Sequence, residues 1–112
     1  MLYAAIALFA VAAVLGLIIL LKWLSKNDAS KGVIYSHGII AATALVLIIV
    51  YALQNPAHYP QLSIILFVLG ALGGFYLFFN NLKSNARPIG IAFVHALIAV
   101  AGFVTLLIFA FA

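Results

Sequence analysis

Four apolar runs dominate the chain, at about Leu2–Leu21, Val33–Leu53, Leu62–Phe79 and Ile89–Ala112. Each comes close to the roughly 20 helical residues needed to cross a hydrocarbon core. Lipid offers the backbone no hydrogen-bond partners, and the runs lack the alternation of a barrel strand, so each predicts a membrane-spanning helix. The whole chain is 112 residues and 70% hydrophobic, which leaves nothing for a separate soluble domain. Short polar connections make sequential helices antiparallel neighbours. The expected fold is an all-α integral membrane four-helix bundle, up-down-up-down, forming one transmembrane domain over residues 1–112.

The charges orient this bundle. Lys22, Lys26, Lys31, Lys83 and Arg87 are all of the Lys and Arg residues, and they lie in the first and third connections. Those loops share a side, which the positive-inside rule makes cytoplasmic. Both termini and the Gln54–Gln61 loop are then expected outside, in the periplasm if the location is a bacterial inner membrane. The first run lacks a basic segment before it and carries its charge after it, so it reads as a mature helix and not as a signal peptide. The net charge of +4 comes from bases that flank membrane helices without interleaved aromatics, which argues against nucleic acid as a partner. The absence of cysteine excludes disulfides, thiolate chemistry and covalent c-type haem.

The chain also repeats itself. Shifted by 58 positions, residues 4–53 align without a gap on residues 62–111, with 13 of 50 positions identical, where composition alone gives roughly 5. Ile6 falls on Ile64, Phe9 on Phe67, Gly16 on Gly74, Asn27 on Asn85 and His37 on His95. Each half holds two spans, so the repeats run parallel and are related by a pseudo-twofold axis along the membrane normal. The second and fourth helices are diagonal partners in such a bundle. His37 and His95 are therefore expected at one depth, facing each other across the core.

A histidine within a span is a functional candidate, although a buried neutral imidazole bonded to a helix carbonyl is the plain structural alternative. Two facing imidazoles are too few for a bare zinc site, and no carboxylate or thiolate lies near this depth. They suffice for a haem iron, which takes four ligands from the porphyrin and two from the protein. Two such ligands put their Cα atoms on the order of 12–13 Å apart, near the diagonal of a bundle with axes roughly 8–10 Å apart. Gly16 lies about 7.5 Å and His37 about 6 Å inside their runs at 1.5 Å per residue. Gly16 and Gly74 thus match the histidines in depth and are expected to line the ring, a role that helix-packing glycines share. Ala41, Ala44, Ala99 and Gly102 would leave room beyond the histidines, and the basic residues of the two loops would meet the propionates, though topology alone also explains them.

This plan resembles the bis-histidine b-type cytochromes of membranes, including the cytochrome b561 group. The resemblance covers the bundle plan with His37 and His95, and no local motif. It implies haem b with His37 and His95 as metal ligands; the single pair limits it to one haem, and matched depth places Gly16 and Gly74 beside it. It departs from that group in having a single intramembrane pair near one face, where two haems are common. His58 sits in the turn Asn55-Pro56-Ala57-His58-Tyr59-Pro60 without a repeat equivalent and reads as a surface residue.

The function expected is that of a small membrane cytochrome, an electron carrier or redox subunit whose partners are the bilayer and a quinone or redox protein, alone or as a homo-oligomer. Two other classes fit the same pattern. A small four-helix transporter normally needs an embedded carboxylate, whereas the only acid here is Asp28 in a loop, so the histidines would have to take its place. A non-haem accessory subunit of a membrane complex needs only the helices. No nucleophile, base and orienting group occur together, so no hydrolase or transferase constellation is expected.

Overall fold

A computed structural model describes residues 1–84 and 86–112; the Asn27–Asn85 equivalence lies outside the described residues. These form α1 (Leu2–Leu24), α2 (Lys31–Gln54), α3 (Gln61–Ser84) and α4 (Ile89–Phe111). All four are long and apolar enough to cross a membrane. Helices of this length span about 35 Å, enough for a hydrocarbon core of about 30 Å.

The first three helices run past the apolar runs that announce them, most clearly where α1 continues through Lys22, Trp23 and Leu24 and α3 through Asn80 to Ser84. Hydropathy marks where lipid ends, whereas a helix ends where its hydrogen-bond ladder is closed. Polar side chains do that closing. Ser25 Oγ donates to Leu21 O, and Ser84 Oγ donates to Asn80 O. At the start of α2, Ser30 Oγ accepts the Val33 amide at 3.2 Å as an N-cap.

The end of α1 is closed by a Schellman motif. The Asn27 amide donates to Lys22 O and the Lys26 amide to Trp23 O. Lys26 occupies the left-handed position, at φ 61°, that glycine usually fills.

α1 packs on α2 and α4, and α3 packs on the same two helices. The diagonal helices meet through side chains at the axis. One buried layer comprises Ala5, Phe9, Ala44, Ile48, Phe67 and Leu106, and a second comprises Trp23, Leu77 and Ala92. Outward-facing Leu17, Val46, Leu72 and Leu97 are more than half exposed. An all-round apolar surface of this kind requires a lipid environment. Lipid is as apolar as these side chains, so close packing and not water exclusion drives one helix onto the next.

The two basic connections meet at one end of the bundle, where Arg87 Nη1 donates to Asp28 Oδ1 at 3.2 Å. His58 lies at the opposite end, exposed, with its ring 4.6 Å from that of Phe109.

Candidate functional site

His37 is held by α2 and His95 by α4, and their rings approach to a centroid distance of 6.3 Å at an interplanar angle of 82°. Each ring is tied back to a neighbouring helix. His37 Nδ1–H donates to Ala12 O on α1 at 2.8 Å, and His95 Nδ1–H donates to Gly70 O on α3 at the same 2.8 Å. A carbonyl can only accept, so the proton of a neutral ring resides on Nδ1 and Nε2 carries a bare lone pair. That tautomer is the one a metal requires, and an Nδ1–H bond to a backbone carbonyl is the usual device for orienting a ligating imidazole. It also satisfies the one N–H of a neutral, part-buried histidine.

The glycines explain how the carbonyls are reached. In an α-helix Ala12 O already accepts the Gly16 amide, and Gly70 O the Gly74 amide. The second lone pair of each carbonyl takes the imidazole. Helical Cβ atoms point back over the preceding turn, so a side chain at position 16 or 74 would lie in the path of the ring. A methyl built on Gly16 would stand 2.9 Å from His37 Cε1, and one on Gly74 would stand 3.1 Å from His95 Cε1. Gly16 and Gly74 are thus against the histidine rings themselves, a neighbour that depth matching alone did not name.

Two more ring pairs separated by 58 positions meet at the axis. Phe9 of α1 stacks on Phe67 of α3 at 3.9 Å and 4°, and Tyr51 of α2 meets Phe109 of α4 at 6.2 Å. The space expected beside Gly102 is filled, because a methyl there would stand 3.1 Å from the ring of Phe67. Ala44 is completely buried in the same layer. Away from the basic end, then, the core is closed by two stacked phenyl rings.

Among the described residues, no three His, Cys, Asp or Glu side chains converge on a common point. Among those residues the site offers two imidazole nitrogens, and any metal held there would need its remaining ligands from elsewhere.

The two histidines and two glycines singled out by the sequence lie together in the structure. Sequence reasoning missed the carbonyls of Ala12 and Gly70, which are invisible as residue types. A signal was available: a glycine in mid-helix uncovers the carbonyl four residues before it. It also missed Phe9 and Phe67, since phenylalanine in an apolar run carries no mark of position. Comparison with family models, with curated proteins and with solved structures finds no match.

Proposed function

We propose that this protein is a small b-type cytochrome of the membrane, in which His37 and His95 hold one haem b and the bundle serves as an electron carrier or redox subunit. One observation carries the reading. Two imidazoles at 6.3 Å are each anchored through Nδ1 to a backbone carbonyl, so that each keeps a free Nε2. Two such donors are what a haem iron asks of a protein.

When bound, haem b supplies reversible one-electron exchange between ferric and ferrous iron. The chain's own residues supply the holding and the tuning. The Ala12 and Gly70 carbonyls fix ring orientation and make each imidazole a stronger donor. Gly16 and Gly74 give the rings their seats. Leu77 and Ala92 provide apolar walls at the basic end, and the Phe9–Phe67 stack closes the other side against water. Held by both His37 and His95, the group would be suited to electron exchange and not to oxygen binding.

In this reading the bundle is up-down-up-down and consists of two parallel repeats about a pseudo-twofold axis. The offset of 58 between His37 and His95, Phe9 and Phe67, and Tyr51 and Phe109 supports it, as does the equivalence of the Ala12 and Gly70 carbonyls. The basic end is cytoplasmic by the positive-inside rule, in a bacterial inner membrane. A single site nearer that face leaves too much of a roughly 30 Å core uncrossed for one haem to carry electrons through it. A quinone or a redox protein on that side is the partner this implies.

The test is an absorption spectrum of the purified protein supplied with haem, oxidised and then reduced with dithionite. Sharp low-spin bands that vanish in both His37→Ala and His95→Ala are expected. A wild-type protein that stays colourless with ample haem refutes the reading.

A further inference from the structure

We propose that the Trp23 indole completes this site, its Nε1–H donating to a carboxylate of the ligand carried between His37 and His95, a haem propionate; the proposal rests on the reading above. Trp23 is only 6% exposed, and its Nε1 is buried with no hydrogen-bond partner among the described residues. A buried N–H without an acceptor is uncommon in a folded protein and calls for a reason. The other half of the chain sharpens the contrast. Asn81 stands 58 positions after Trp23 and also offers an N–H, but its Nδ2 donates to Ala86 O at 2.9 Å.

The location suits a ligand's polar edge. The indole packs on Leu77 of α3 and Ala92 of α4. Those residues lie three positions from Gly74 and His95, about one helical turn toward the basic end. On the opposite side the core is closed by Phe9 and Phe67, with no free space at Gly102. A flat, largely apolar ligand bearing carboxylates would therefore direct them toward Trp23 and the basic loops. There a neutral N–H can donate to a charged oxygen without adding a buried charge of its own, and a hydrogen bond to an ionised oxygen is stronger than one between neutral groups. The Schellman closure immediately after Trp23 fixes the backbone from which the indole projects, through the Lys26 amide on Trp23 O.

Trp23 is the only tryptophan in the chain, so its spectroscopic signature is unambiguous. The experiment is ultraviolet resonance Raman on the indole N–H marker, with and without haem, combined with titration of the wild type and Trp23→Phe against haem and against iron etioporphyrin, which has no carboxylates. The expected result is a marker that changes from unbonded to bonded on haem addition. Trp23→Phe should weaken haem binding by about tenfold while leaving the affinity for iron etioporphyrin unchanged.

A marker already bonded before haem is added overturns the proposal, as does equal weakening toward both porphyrins, which would mean that the ring acts by packing alone. In either case the histidine pair stands, because haem uptake by the wild type and its loss in His37→Ala are read in the same titrations. A wild type that takes up neither porphyrin overturns the histidine reading and this inference together.

Discussion

Gly16 lies so close beneath His37 that a methyl group on its Cα would stand 2.9 Å from the imidazole Cε1. Gly16→Ala should therefore push the ring off Ala12 O. Helix propensity gains about 1 kcal/mol from the substitution, and loss of the hydrogen bond costs about as much. Thermal unfolding in detergent should move little, while retention of the proposed haem should fall. Gly38→Ala, at a position with open space around it, should leave the ligand bands intact. Equal spectra for the two variants would show that the glycine has no part in seating the ring.

Gly102→Ala should be destabilising. The new methyl would stand 3.1 Å from two atoms of the Phe67 ring, whose stack on Phe9 leaves it little freedom to retreat. Overpacking of this sort costs about 1–3 kcal/mol. Combining it with Phe67→Leu should recover part of the loss, read as the unfolding midpoint of single and double variants.

Ser63→Ala should cost little, although Ser63 is 1% exposed and bonded to Thr105 at 2.8 Å. Thr105 Oγ1 also bonds Ala101 O and Gly102 O, so its hydroxyl is not orphaned when the serine goes. Hydrogen bonds between membrane helices average about 0.6 kcal/mol, and a loss well above 1 kcal/mol in an unfolding titration would contradict this assignment.

At the basic end, Lys26→Gly should raise stability by about 1 kcal/mol, because glycine adopts the left-handed C-cap without the steric cost that lysine bears at φ 61°. Asp28→Asn should cost at most about 1 kcal/mol. Asp28 is 70% exposed in its ion pair with Arg87, so whatever is lost should shrink as salt is added. Unfolding of both variants at low and high ionic strength checks the pair of expectations.

The spans were legible in the sequence because lipid imposes one rule on every residue within them. An apolar run of this length must satisfy its own backbone, and only a helix does so without a partner. The exact ends were not legible. Lys22 to Leu24 and Asn80 to Ser84 stay helical through bonds that hydropathy does not register, such as Ser25 Oγ to Leu21 O.

The histidines and glycines were legible as types out of place: a titratable ring and a missing side chain in apolar helices, each duplicated 58 residues on. What Gly16 and Gly74 do beside them was not, because a carbonyl belongs to every residue and acquires a role only when a neighbouring helix approaches it. By itself the sequence determined four helices long and apolar enough to span lipid and two imidazoles 58 positions apart within them, since both follow from residue chemistry and chain position. Tertiary structure alone decided that the rings bond Ala12 and Gly70, that the Phe67 ring occupies the room beside Gly102, and that the Trp23 N–H is buried without a partner among the described residues. Those facts depend on which faces meet across the bundle axis, and packing of that kind is a property of pairs of helices that no single apolar run records.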